Sequence, residues 1–275
     1  MAAADLTGAD QASAGPAAKI SVEDLCAEIG ASTELLAGIA GGDLSAAVPT
    51  CPDWTLRELV IHVGRAHRWA AEITKTRAAE PVPFRSVPDG KFPAEPAERT
   101  AWLKAGAERL ATEVSRSGSD PVWTFAGPLP AYFWARRMAH ETIVHRSDAE
   151  IALGRAPEIG GQIAADGIDE WLTVMCSLAW EGQDQRLAAL PAGQAMHVHV
   201  HGANGGSAGA GEWTIRSLPG GIEVAREHGK GDAALRGQAG PVLLVLLRRL
   251  PADDPSVEVL GDPAVLDRWL ENVKF

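Results

Sequence analysis

Residues 134–149 read WARRMAHETIVHRSDA, and the periodicity of this stretch decides the fold. Read as a helix at about 100° per residue, Trp134, Met138, Glu141, His145 and Ala149 fall on one face. Glu141 and His145 are then one turn apart on an otherwise apolar stripe, which points them into a helical bundle. His140, five residues before His145, diverges from it by about 140°. The spacing is also not that of the HExxH zinc proteases, whose histidines are four apart.

Working outward, the same periodicity recurs. Ser21 precedes the amphipathic run VEDLCAEIGASTELLAGIA with acids in its first turn, a capped helix start. Thr55 and Glu58 stand at capping-box spacing and open a second helix through about Thr76. The stretch PVPFRSVPDGKFPAEP ends it. A third helical pattern runs from Ala97 to Ser117, a fourth from Leu129 to Leu153 and a fifth from Gly161 to Trp180, which predicts a helical bundle over residues 20–182. On the second helix Leu59, His62, Ala66, Trp69 and Ile73 form a matching stripe, and His67 lies off it.

Beyond residue 190 the period changes to two. AMHVHVH, EWTIRS and GIEVARE read as strands, PVLLVLLRRL as a helix, VEVLGD as a strand and PAVLDRWLENV as a helix, so residues 190–275 are expected to form a small α+β domain. The Gly-rich GANGGSAGAGE joins two strands and leads into no helix, so it reads as a hairpin connection rather than a phosphate loop. His197, His199 and His201 share one strand face and read as polar surface, with a metal cluster as the competing interpretation.

Apolar residues make up 46% of the 275 and charged residues 22%, which suits a globular protein. The net charge of −11 argues against a nucleic-acid or anionic-membrane partner, which would need a basic surface. Cys26, Cys51 and Cys176 have no CxxC spacing and leave an odd thiol, so a disulfide framework is not expected and the cytoplasm is the natural compartment. Residues 1–19 lack the charged and apolar parts of a signal peptide and read as a disordered tail, and no apolar run approaches the roughly 20 residues of a membrane span.

A carboxylate buried among apolar side chains needs a positive partner. His62, Glu141 and His145 on facing helices could supply three ligands to a divalent ion and leave a fourth position open, as catalytic zinc sites do. The competing reading is two core histidines hydrogen-bonded to Glu141 or to backbone, without metal.

At these residues the chain resembles the mycothiol-dependent maleylpyruvate isomerase family of actinobacteria, whose N-terminal half belongs to the DinB-like metal-binding bundles. The resemblance rests on VPTCPDWTLRELVIHVGRAH (48–67), MAHETIVHRSDAE (138–150) and LLVLLRRLPADDPSVEVLGDPAVLDRWL (243–270). It implies an α+β protein, an up-down DinB-like bundle followed by a small sterol-carrier-type domain. It implies a divalent ion, usually zinc, on His62, Glu141 and His145. It further implies mycothiol as thiol cofactor or co-substrate, acting on a small electrophile by S-transfer or cis–trans isomerisation. Metal-activated water, giving a hydrolase, is the alternative, as is a binding protein with a structural metal. The family's C-terminal helix ends in a Gly-Arg pair; here the pair is Arg248-Arg249, so Arg249 is the candidate to hold a substrate carboxylate bidentately, against a plain helix-end charge in solvent.

Overall fold

Capping and apolar spacing place the first four helices. The computed structural model of the protein describes residues 20–175, 189–202, 210–219 and 221–273. Helix α1 (Val22–Ala40) starts where the Ser21 hydroxyl accepts the Asp24 N–H at 3.0 Å, and α2 (Leu56–Thr76) starts at the complete Thr55/Glu58 capping box. Helix α3 (Pro96–Ser117) begins with proline, whose missing N–H is no loss there. Helix α4 (Tyr132–Ala152) begins three residues later than its periodicity suggests, because Leu129 and Pro130 form a short strand, β2, paired with β1 (Pro121–Val122). The disordered-tail expectation for residues 1–19 lies outside the described residues.

Helices α1 and α2 each pack against both α3 and α4, so α1 lies diagonally opposite α2 and α3 diagonally opposite α4. The predicted stripes face this interior: Leu59, Ala66, Ile73, Trp134, Met138 and Ala149 are all buried. Helices α2 and α3 approach closely at Gly64, where the Trp102 ring occupies the space of a side chain. Arg68 covers that ring at 4.1 Å and bonds back to the carbonyls of Gly64 and Trp102 at 2.9 and 2.6 Å.

Helix α5 (Gly161–Glu170) passes into a π-helical turn at Trp171–Met175, and the remainder of the expected fifth helix lies outside the described residues. Its apolar residues Ala164, Ala165 and Ile168 join the core of the following sheet, while Ile163 packs into the bundle interior. That sheet has strand order β5-β4-β3-β6-β7, with β3 (Ala195–His201), β4 (Gly211–Leu218), β5 (Gly221–Ala225), β6 (Ala233–Gln238) and β7 (Val257–Gly261). All pairings are antiparallel except β3 with β6. Helices α6 (Ala239–Leu246) and α7 (Pro263–Asn272) contribute Val242, Val245, Leu266 and Trp269 to the same core as Val198, Trp213 and Leu235. The fold is α+β. Strands β3 and β4 are antiparallel neighbours joined by the Gly-rich segment, of which residues 203–209 lie outside the described set. Strand β6 has only a weak apolar signature, since Leu235 is the one large apolar residue of its AALRGQ sequence, and its strand character is not marked by periodicity. Among the described residues no helix is long and apolar enough to cross a membrane.

Gly64→Ala should test the α2–α3 contact. A Cβ there would lie 2.1 Å from the Trp102 ring, and the indole is pinned by its N–H on the Asp89 carbonyl at 2.7 Å. Overpacking costs about 1 to 3 kcal/mol, against a helix-propensity gain of at most about 1 kcal/mol. Denaturant unfolding should show a net loss; equal or greater stability in Gly64→Ala would contradict the packing account.

Candidate active site

The polar positions of the two apolar stripes meet. Glu141 Oε1 lies 2.8 Å from His62 Nε2 and 3.3 Å from His145 Nε2, and the two imidazoles are edge to face with centroids 4.9 Å apart. Trp54, on the loop before α2, packs against both rings at 5.0 and 5.6 Å. Among the described residues two groups of potential ligands meet here and share His145: His62, Glu141 and His145 facing the cavity, and Cys51, His145 and Asp148 behind it.

A tetrahedral ion with ligands at ~2.0–2.2 Å holds them about 3.3 Å apart. The two separations to Glu141 Oε1, 2.8 and 3.3 Å, lie within about half an ångström of that, and all three donors lie within 4.8 Å of one another, so the set fits a divalent ion. The imidazole orientation fits as well: Nδ1 of His145 is engaged by Asp148 Oδ2 at 2.9 Å, which leaves Nε2 aimed at the cluster.

Electrostatics support the same geometry. Burial alone would raise the Glu141 carboxyl, but hydrogen bonds from His145 and His62 and the nearby Arg137 outweigh it and hold Glu141 well below the ordinary carboxylate range. Burial alone would lower His145, yet its bonds to Asp148, Cys51 and Glu141 hold it well above the usual imidazole value. A divalent ion at this cluster would have to displace a proton from His145 Nε2.

Two residues of this site are absent from the sequence reading. Asp148 is fully buried and accepts from five donor atoms: His145, the Thr50 hydroxyl at 2.6 Å, Arg249 Nε and Nη2 at 2.9 and 3.0 Å, and the Cys51 thiol at 3.4 Å. Its own burial would raise its carboxyl, and the His145 and Arg249 bonds reverse this to well below the usual range. Its signal was position, one turn after His145 on the same helix. Arg137, one turn before Glu141, bonds Glu141 Oε2 at 3.3 Å and also grips Glu170, whose side chain is 3% exposed.

Arg249 lines the same cavity with 16% of its side chain exposed, and its guanidinium has partners within the protein. Two of its nitrogens hold Asp148, and Nη1 donates to the Leu247 carbonyl at 2.8 Å. Helix α6 ends in paired reverse bonds, Arg249 N–H to Leu244 O at 2.7 Å and Arg248 N–H to Val245 O at 2.8 Å, with Arg248 at φ 61°. That left-handed position favours glycine. Arg248 adopts it all the same, at a cost of about 1 kcal/mol, so the chain direction into Arg249 follows the glycine-type helix ending.

These groups wall a cavity of about 690 Å³ between the bundle and the C-terminal half, with Trp54, Trp69, Phe84 and Phe125 on one side and Leu243 and Leu246 on the other. His140 and His67 stay apart from the three-residue cluster. His140 Nε2 pairs with Asp166 at 2.8 Å. His67 is fully buried against Thr142.

Family models match the chain twice. The mycothiol maleylpyruvate isomerase N-terminal domain covers residues 25–150, and the C-terminal domain of the same family covers 162–268. Two crystal structures, one of a mycothiol-dependent maleylpyruvate isomerase and one of its histidine-to-alanine mutant, are similar with TM-score 0.54. They are 15% and 13% identical to this chain, and each alignment covers 87% of it and 93% of the other. That likeness shows the fold. A search of curated proteins finds no match.

His67 generates a pH prediction. The Thr142 hydroxyl donates to the Met138 carbonyl, so it accepts from His67 Nε2–H at 2.8 Å, and Nδ1 is buried without a hydrogen-bond partner among the described residues. Burial, then nearby Arg68, pushes this imidazole from 6.5 down to about 3. Its folded value is depressed, so its contribution is present above the unfolded value of 6.5 and is lost as pH falls towards 3. The full loss is on the order of a few kcal/mol. Urea unfolding of His67→Gln should show a flatter fall in stability between about pH 6 and 4 than the unaltered protein; identical slopes would refute this assignment.

Proposed function

The chain belongs to the mycothiol maleylpyruvate isomerase family, and from that premise we propose that it is a metal-dependent enzyme that uses mycothiol to isomerise a small conjugated electrophile. One observation carries the proposal: three donor atoms of the right chemistry converge on the wall of a cavity large enough for a thiol cofactor and a substrate together. His62, Glu141 and His145 would hold the ion, with zinc the best match to a two-imidazole, one-carboxylate set. When bound, the ion would supply a Lewis acid that keeps a cofactor thiol as thiolate at neutral pH, and reversible addition of that sulfur to a conjugated double bond permits rotation and elimination without consuming either group.

The remaining work falls to this chain's own residues. Asp148 fixes the ring and tautomer of His145, and Arg249 holds Asp148 in place as a positioning residue. Arg137 orients Glu141 through its second oxygen. Trp54 and Phe84 pack against His62 with tilted rings, at 5.0 and 5.9 Å between centroids. The aromatic and aliphatic walls favour a substrate with an apolar body. The three-membered ligand group supports an enzyme over a structural metal, because structural zinc is normally closed by four protein ligands.

Tag-free protein, loaded with zinc, should convert maleylpyruvate to its trans isomer only when mycothiol is added, followed by proton NMR. His145→Ala and Glu141→Gln should lose turnover and the zinc equivalent bound at this cluster. Asp148→Asn should weaken zinc binding roughly 10- to 100-fold while retaining fold. Cleavage products formed without mycothiol, or an S-conjugate as the sole product, would replace isomerisation by hydrolysis or S-transfer respectively, and trans isomer formed equally well without mycothiol would remove the thiol from the mechanism.

A further inference from the structure

A second group of metal-type donors lies on the sheet, away from the cavity. Strand β3 sends Met196, Val198 and Val200 into the core, so His197, His199 and His201 project from the opposite face. In the β3–β4 register His199 stands opposite Glu212 and His197 opposite Thr214. His228 arrives from the connection between β5 and β6. Glu212 Oε2 lies 3.0 Å from His197 Nε2 and 2.6 Å from His228 Nδ1, and His199 Nε2 is 3.9 Å from Glu212 Oε1.

The face is polar, as the alternation predicts, yet His197 is not surface: its side chain is 7% exposed, beneath His228, whose ring stands edge-on at 5.2 Å. From this geometry we propose that His197, Glu212 and His228 form a second binding site for a divalent transition-metal ion. Two imidazoles and one carboxylate suit zinc, nickel or copper; calcium and magnesium prefer all-oxygen sets. A tetrahedral ion needs its donors about 3.3 Å apart. From Glu212 Oε2 the outward movement required is about 0.3 Å for His197 and about 0.7 Å for His228, whose side chain, 78% exposed, is free to make it.

Occupancy would clasp the segment around residue 228 to both β3 and β4. That segment already carries Arg226, whose guanidinium grips Asp169 of α5, and the Thr214 hydroxyl donates to the Glu227 carbonyl at 3.0 Å. The ion would therefore stiffen the stretch of chain that ties the sheet to α5. The competing account is a set of neutral imidazoles donating N–H bonds to one carboxylate.

Calorimetric titration of tag-free protein with zinc chloride separates the two accounts independently of the cavity site. His145→Ala, which removes a donor of the first cluster, should still bind one equivalent. His145→Ala/His228→Ala should bind it roughly tenfold or more weakly. No binding by His145→Ala, or the same isotherm in both variants, would overturn the proposal. Should circular dichroism show that His145→Ala does not fold, the unaltered chain is compared with His228→Ala: loss of one equivalent is expected, and an unchanged stoichiometry and affinity would overturn the proposal equally.

Discussion

The arrangement depends on one buried carboxylate. Asp148 has no solvent exposure and is held by His145, Arg249, Thr50 and Cys51. These partners come from α4 itself, from the loop before α2 and from the end of α6, so one charge ties together three parts of the chain. An ionised carboxylate removed from water is tolerated only when its lone pairs are filled. Removing one partner of such a buried pair costs about 3 to 5 kcal/mol, and here the partner Arg249 belongs to the C-terminal half. Docking of that half and orientation of the His145 ring are therefore one event.

A second polar layer works alongside it. Arg136 on α4 holds Asp166 at 2.8 Å and Asp169 at 2.9 Å, and Asp169 also takes the Trp213 indole N–H at 3.0 Å and the Arg226 guanidinium. The cavity lies between helices α2, α4, α5 and α6 with these two networks near it. Its apolar walls make charged contacts inside it stronger than they would be in water, which suits chemistry at a thiol and an ionised carboxylate.

Much of this was legible in the sequence. The stripes Trp134–Met138–Glu141–His145 and Leu59–His62–Ala66 identify inward-facing helix surfaces because a helix repeats every 3.6 residues, and polar residues on such faces must meet something. Asp148 and Arg137 escaped because each looks like an ordinary charged residue on a helix, and only the tertiary partners, Arg249 and Glu170, reveal that they are buried. Arg249 itself was visible as a candidate, but its partner lies 101 residues away, a separation no local pattern encodes. Strand β6 escaped for a related reason: it is parallel to β3, and its AALRGQ sequence lies between neighbours on both sides without marking either face. The association of α5 with the sheet core follows from packing choices that helix periodicity leaves open.

The central claim is that the cavity ionises a cofactor thiol through the groups held by His62, Glu141 and His145. Calorimetry of mycothiol binding to the zinc-loaded protein near neutral pH, repeated in buffers of different ionisation enthalpy, counts the protons released. The account predicts release of about one proton per mycothiol bound, since a free thiol is mostly protonated at that pH, with none released by the S-methylated analogue. Mycothiol binding without proton release, or the same release from His145→Ala, would contradict it.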